Sequence, residues 1–473
     1  MGLTYDEAVQ RLLWLGHEGR SLKWDLANIG AVLERLGNPA RRFASLHIAG
    51  TNGKGSVAAM LEAILRAAGY RTGLYTSPHL ARINERIAVN GQAVSDADFA
   101  GAFNAAAAVI EPLLAEGPER SGLPNHPSYF ETLTAMAFWH FAQAGVEMAV
   151  VEVGLGGRLD ATNVLTPEVS VLTAIDFDHE RYLGHSIERI AAEKAGILKP
   201  GVPAVCAARH PVARRVIAER AAAVRSSVID VETDYSVEEL RAADFGLYEF
   251  LLRGRDGFEL RLAPGLRGAF QVENAVTAAA AARQLAARGW HIPPEAMARG
   301  IAGTNWGGRM ERVEFLPSAL PEGRRPLVFL DGAHNPAGAR QVLRFWEEHL
   351  PGRRIHLVYG TMRDKAVAEV AELLFPRAAR VIVTRPGTPR AASPEALARL
   401  AREVNRSVVV EPEPARALER ALESAGPEDV VFVTGSLFLV GACREVLAGF
   451  LGAPADREAA AVASARGTAG PPA

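Results

Sequence analysis

Continuous apolar runs alternate with helix-period segments along most of the chain. In the first half, "FASLHIAG" (43–50), "RTGLYTS" (71–77), "EMAVVEVG" (147–154) and "VSVLTAID" (169–176) show no in-and-out alternation. Strands read this way when both faces are covered, as in a parallel sheet. Between them, residues 56–68, 129–144 and 186–195 carry helical periodicity. A second series begins near Pro326: "PLVFLDG", "RIHLVYG", "ARVIVTR", "RSVVVEP" and "DVVFVTG". Helical segments of about 10–14 residues separate these runs. The rhythm predicts an α/β protein built on doubly wound sheets.

The same pattern sets the expected boundaries. A first domain covers 1–302, "GTNWGGR" (303–309) is a linker, and a second α/β domain covers 310–452. Residues 453–473 are rich in Ala, Gly and Pro without an apolar period, and are expected to be disordered. Length agrees: 473 residues at ~150 per domain suggest two or three domains. With 49% hydrophobic and 22% charged residues and a net charge of −2, nothing calls for nucleic acid or an anionic membrane as partner. No run approaches the ~20 apolar residues of a bilayer span. Cys206 and Cys443 stand in unrelated contexts, which argues against a disulfide framework and fits a reducing cytoplasm.

Chemistry gathers at predicted strand ends. "AGTNGKGS" (49–56) is a strand, a glycine turn and a helix start. Gly50, Gly53 and Gly55 allow backbone N–H groups to face phosphate oxygens, Lys54 reaches the β/γ-phosphates, and the helix dipole assists. The usual loop places Ser or Thr directly after Gly-Lys; here Gly55 intervenes before Ser56, so an ordinary glycine-rich turn is the competing reading. "VVEVGLGGRLDATN" puts Glu152 at the end of an apolar strand, where a charge needs a metal or a partner. The two readings are a Mg²⁺ ligand and a salt bridge to Arg158.

Asp176, Asp178 and His179 cluster after the next strand. In the following helix Ile187, Ile190, Ala191 and Lys194 fall at i, i+3, i+4 and i+7. Lys194 therefore lies on the apolar face, either with an altered charge or snorkelling to the rim. Gly196 is expected to end this helix as a C′ residue.

In their order, "AGTNGKGS", "TSPHLARINERI", "YFETLTAMAF", "EVGLGGRLDATN", "DHERYLGHSIERIAAEKAGI", "FQVENAVTA", "GGRMERV" and "LDGAHNP" resemble the folylpolyglutamate synthase/dihydrofolate synthase family. That family belongs to the Mur-ligase-like ATP-dependent amide ligases. The likeness runs from about residue 5 to about 450. It implies an N-terminal P-loop domain of the Mur-ligase central type, a C-terminal Rossmann-like domain closing over it, and Mg-ATP as substrate. It implies activation of a dihydropteroate or folate carboxylate as an acyl phosphate, followed by amide formation with L-glutamate. It also implies a monomer.

By motif position, Thr51, Asn52, Gly53, Lys54, Gly55 and Ser56 would bind ATP, with Asn274, Arg309, Asp331 and His334. Ser77 and Glu152 would hold one Mg²⁺ and His179 a second. Lys194 matches a carbamylated lysine that helps bind metal. Lys54, Lys194, His179 and Arg309 would serve catalysis. Lys23, Trp24, Asp25, Ser128, Phe130, Asp160 and Ala161 match the pterin/folate site, although Phe130 also reads as plain core. Ala174, Phe177 and Gly307 depart from common family residues without removing a ligand, and Trp24 is unusual at the pterin loop. Mur-type enzymes acting on UDP-linked substrates carry a further domain ahead of the P-loop, where only residues 1–48 stand here. A P-loop kinase or NTPase would need neither the second strand series nor "LDGAHNP".

Overall fold

The computed structural model of the chain describes residues 2–15, 25–123, 125–315 and 326–448. Lys23, Trp24 and the 453–473 tail lie outside them. Contacts divide the chain into two compact units, Met1–Trp306 and Gly307–Ala473.

The first unit is built on an eight-stranded sheet. Its strands are β1 (Ala44–Ala49), β2 (Thr72–Tyr75), β3 (Ile87–Val89), β4 (Gln92–Ala93), β5 (Met148–Glu152), β6 (Val169–Leu172), β7 (Ala204–Cys206) and β8 (Val228–Asp230), in the order β4-β3-β2-β5-β1-β6-β7-β8. The pairs from β2 to β8 are parallel. β3 and β4 form an antiparallel edge hairpin. The predicted strands are β1, β2, β5 and β6. The predicted helices are α1 (Lys54–Ala67), α3 (Tyr129–Gln143) and α4 (Ile187–Ala195). In chain order, α2 (Asp96–Glu116) lies between α1 and α3, and α5 (Ala269–Ala287) and α6 (Pro294–Ala302) follow α4.

Both sheet faces are covered, which explains the unbroken apolar strands. Leu46 and Ile48 of β1 pack with Val57, Leu61 and Ile64 of α1 and with the alanine run 278–282 of α5. On the other face Tyr75, Ala149 and Val151 pack with Phe99 and Phe103 of α2 and with Leu133 and Phe138 of α3. Among the described residues α2 alone is long and apolar enough to cross a membrane by length and composition. It is capped by Ser95, carries Asp96 and Asp98 in its first turn, and buries Phe99, Phe103, Ile110 and Leu113.

Two features were not anticipated. The β3–β4 hairpin turns on Asn90-Gly91, both with positive φ (50° and 75°), the pairing that a two-residue hairpin favours. A separate antiparallel sheet, β11-β10-β9, comprises β9 (Tyr235–Ala243), β10 (Leu247–Gly254) and β11 (Glu259–Leu262). Tyr248, Phe250 and Leu252 of β10 alternate inward, a period of two that the search for continuous runs passes over.

The second unit holds β12 (Glu311–Arg312), β13 (Leu327–Leu330), β14 (Ile355–Tyr359), β15 (Arg380–Val383), β16 (Val408–Val410) and β17 (Val430–Thr434) in the order β12-β13-β17-β14-β15-β16. All its pairs are parallel except β12–β13. The five predicted strands are β13 to β17. Helix α7 (Pro336–His349) follows β13, and α8 (Leu437–Ala448) follows β17.

Candidate active site

β1 ends at Ala49, and the chain turns through Gly50 and Gly53 (φ 156° and 88°) into α1, whose first residue is Lys54. Space is as restrictive as conformation here. A Cβ on Gly50 would lie 1.8 Å from Thr173 Oγ1, and one on Gly53 would lie 2.5 Å from Asn274 Oδ1. The segment after β6 braces the loop. Thr51 N donates to Ala174 O (2.7 Å), Thr51 Oγ1 donates to Asp176 O (2.9 Å), and Thr173 Oγ1 donates to Asn52 O (2.8 Å). From α5, Gln271 Nε2 donates to Ser56 Oγ (3.3 Å), and Asn274 Nδ2 donates to Gln271 Oε1 (2.8 Å). Asn274 thus reaches the loop predicted from sequence, 218–225 positions away from it in the chain. Thr51 and Ser56, read as nucleotide ligands, also hold the loop's shape.

Lys194 is 5% exposed, as its place on the apolar stripe of α4 requires. Its Nζ donates to Gly50 O at 2.7 Å. Burial, and then the nearby Lys54 ammonium, pull its pKa down to about 7. Lys54 Nζ donates to Thr51 O (3.2 Å). Snorkelling is excluded, and two lysines meet under one phosphate loop.

Glu152 closes β5, 4% exposed, in register with Ile48 of β1. Its Oε2 accepts from Ser77 N at 3.1 Å, which joins the two residues predicted to share a metal. Arg158 pairs with Glu193 (2.9 Å). His179 holds a left-handed φ of 52°, and its N–H donates to Asp178 Oδ1 (2.8 Å). Among the described residues no three His, Cys, Asp or Glu side chains converge. Mg²⁺ carried by a nucleotide needs only one or two carboxylates beside phosphate oxygens and water, so a serine hydroxyl and a buried glutamate fit it.

Phe130 lies against Gly154, where a Cβ would meet its ring at 2.5 Å, and is tilted on Tyr75 with centroids 5.9 Å apart. Asp160 is 6% exposed. Its carboxylate accepts from Leu155 N (3.0 Å), Thr162 N (3.0 Å) and Thr162 Oγ1, while burial raises its pKa. Ala161 is buried beside it. Ser128 is the N-cap of α3 in a reciprocal capping box with Glu131. Asp25 is exposed and accepts from Ala27 N (2.9 Å).

Gly196 ends α4 as expected, standing at its C-cap. Its φ is −61°, a right-handed helical value. A glycine is needed for another reason: its Cβ would lie 2.4 Å from Arg158 Cβ. A Cβ on Gly157 would likewise lie 2.8 Å from Glu193 O. The loop after β5 therefore docks flat on the last turn of α4. Sequence reasoning also passed over His47, a polar residue inside an apolar strand and fully buried.

In the second unit Asp331 directly follows β13, 5% exposed, and accepts from Met310 N (2.9 Å) and Ala333 N (2.8 Å). Burial raises its pKa against the pull of Arg309. Arg309 reaches over Gly332, whose Cβ would be 2.9 Å from Nη1. His334 Nδ1 lies 2.9 Å from Gly332 O. Asn335 then caps α7 with Pro336 in its first turn. Arg309, Asp331 and His334 thus share one strand end within this unit.

A glycine-lysine loop on a parallel sheet, followed by a second parallel α/β unit, defines a class. The Mur ligase middle domain matches residues 48–282, and the Mur ligase glutamate ligase domain matches residues 308–437. The chain is 35% identical to a folylpolyglutamate synthase of Lacticaseibacillus casei over 90% of this chain and 95% of that one. It is 34% identical to a dihydrofolate synthase/folylpolyglutamate synthase of Bacillus subtilis over the same shares. An Escherichia coli FolC structure in complex with DHPP and ADP superposes with a TM-score of 0.80 at 29% identity, covering 94% of this chain and 98% of that one. The chain belongs to the folylpolyglutamate synthase/dihydrofolate synthase family of ATP-dependent Mur-type ligases.

Proposed function

We propose that the chain joins the amine of L-glutamate to a pteroyl carboxylate at the expense of ATP, accepting both dihydropteroate and reduced folates. The observation that carries this reading is the phosphate loop with Lys54 at its helix start and the buried Lys194 bound to Gly50 O beneath it. A carboxylate does not acylate an amine, because oxide is a poor leaving group. Transfer of the γ-phosphoryl of ATP to a carboxylate oxygen gives an acyl phosphate and ADP. The glutamate amine then attacks the acyl carbon, the C–N bond forms, phosphate departs and the amine gives up a proton. Lys54 and the backbone N–H groups at the start of α1 neutralise the phosphates.

Ser77 and Glu152 would hold one Mg²⁺ and His179 a second, and the bound ions would supply charge neutralisation on the transferring phosphoryl. Arg309, Asp331, His334 and Asn274 bind the nucleotide. Phe130, Asp160 and Ala161 take the pterin ring, whose adjacent N–H donors suit a carboxylate and whose flat face suits an aromatic ring. The DHPP and ADP in the Escherichia coli relative support both assignments. With a pKa near 7, Lys194 has a neutral fraction that can add CO₂, forming an N–C bond and releasing a proton to leave a carbamate. The chain acts as a cytoplasmic monomer, a setting supported by its two free, buried thiols.

ADP release tests the reading, measured with Mg-ATP and L-glutamate and with dihydropteroate or a reduced folate in separate reactions, products identified by mass. Glutamate-dependent turnover with both acceptors is expected, and Lys54→Ala should lower kcat by on the order of 10²–10³-fold. Absence of glutamate-dependent turnover with either acceptor would sink the reading. Isotope-labelled bicarbonate should give a carbamate carbon resonance that Lys194→Ala lacks.

A further inference from the structure

His47 sits in β1 between Leu46 and Ile48, whose side chains pack in the core under α1, and is itself fully buried. Its Nε2 lies 2.8 Å from Thr162 Oγ1. The Thr162 hydroxyl also contacts Asp160 Oδ1. A hydroxyl has one proton, and an ionised carboxylate can only accept. Thr162 therefore donates to Asp160 and accepts from His47, which places the imidazole proton on Nε2. His47 Nδ1 is then a bare lone pair, buried and without a hydrogen-bond partner among the described residues.

An orphaned buried acceptor of this kind carries a cost in stability. Leucine would fill the same apolar strand position without it. The one hydrogen bond that the His47 side chain makes among the described residues leads, through Thr162, to Asp160. Asp160 in turn ties Leu155 N at one end of the loop after β5 to Thr162 N at the other. Phe130 packs on Gly154 at the start of that loop.

We propose that His47 is a positioning residue for the acceptor pocket: acting through the Thr162 hydroxyl, it sets the plane of the Asp160 carboxylate that receives the pterin donors. The inference rests on the folate-acceptor reading given above. Two parallel N–H···O bonds to a carboxylate are directional, so a carboxylate turned out of plane loses most of one of them. Losing one hydrogen bond worth about 1.4 kcal/mol corresponds to about tenfold in affinity.

The test is steady-state kinetics on His47→Leu, His47→Gln, Thr162→Val, Thr162→Ser and the His47→Leu/Thr162→Val double variant, with melting temperatures beside them. His47→Leu should raise KM for dihydropteroate about tenfold while KM for ATP stays within about twofold, at a melting temperature equal to or above that of the parent. Gln, which can still donate, should recover most of the loss, and Thr162→Ser should behave as the parent. The double variant should be no worse than Thr162→Val alone, because both break one chain of bonds. If His47→Leu does not fold, the Thr162 pair carries the test. An unchanged KM for dihydropteroate, parallel rises in both KM values, or multiplicative effects in the double variant overturn the inference while parent turnover keeps the folate reading. No parent turnover with any pteroyl acceptor overturns both.

Discussion

Gly300→Ala sets two known effects against each other. Gly300 lies inside α6, where alanine is favoured over glycine by about 1 kcal/mol. Propensity alone predicts a more stable protein. The added Cβ, however, would stand 2.4 Å from both Cα and N of Ile64 and 2.7 Å from the carbonyl carbon of Ala63. Carbon contacts are comfortable at about 3.5–4.0 Å, so the overlap exceeds about 1 Å. The atoms it meets are backbone in the middle of α1, a helix buried from Gly55 through Leu65, and cannot swing aside like a side-chain tip. Overpacking of this kind costs about 1–3 kcal/mol, with backbone neighbours at the upper end. The net expectation is destabilisation by about 1–2 kcal/mol. At about 2–4 °C per kcal/mol for a unit of this size, the melting temperature should fall by roughly 2–8 °C.

The displacement has a second consequence. α1 begins with Lys54 of the phosphate loop, so a shift of about 1 Å should lower kcat/KM for ATP by on the order of ten- to a hundredfold. Calorimetry and ATP-dependent turnover read the two effects. Gly101→Ala is the control. It lies inside α2 with nothing within 4 Å of its Cβ, and should raise stability by about 1 kcal/mol. If Gly300→Ala melts above the parent by as much as Gly101→Ala does, the two helices can part without cost and the reasoning is refuted.

Burial, and then the Lys199 ammonium, press the pKa of His47 down to about 3 from 6.5. The unfolded chain therefore takes up a proton that the folded chain refuses as pH falls below about 6.5, and stability drops with falling pH, by about 2 kcal/mol at pH 5. His47→Gln should flatten that part of the acid limb in urea titrations across pH 4–7, and an unchanged slope would assign it to other groups. Gly53→Ala meets both a φ of 88° and Asn274 Oδ1 at 2.5 Å. It should abolish measurable ATP binding by calorimetry while the pteroyl acceptor still binds, and retained ATP affinity would remove Asn274 from the loop's wall. Burial pushes the thiols of Cys206 and Cys443 up to about 11 and about 12. Ellman's reagent should titrate neither in the native protein and both in guanidinium, and prompt native reaction would contradict their burial.

Much of this molecule could be read in advance because its governing interactions are local or periodic. Parallel strands covered on both faces must be apolar throughout, so β1, β5, β6 and β13 to β17 stand out as runs. A helical stripe that ends on Lys194 can be read at i, i+3, i+4 and i+7, and it forecasts a buried amine before any neighbour is known. What stayed hidden depends on pairs distant in sequence. Gly196 reads as a helix stop, yet its lack of a side chain serves the close approach of Arg158, 38 positions earlier. Ser128 and Thr51 carry polar side chains of the kind that bind ligands, yet each first satisfies backbone of its own chain. His47 is the sharpest case. One polar residue in an apolar strand is a weak signal, because a buried histidine is usually satisfied by some neighbour. Only its hydrogen bonds separate it from that ordinary case: one nitrogen is committed to Thr162 and through it to Asp160, and the other has no partner among the described residues. On the proposed reading, a side chain that lowers stability and bonds to a single loop is explained by what that loop binds, so the proposed acceptor pocket, more than the strand, accounts for a histidine at position 47.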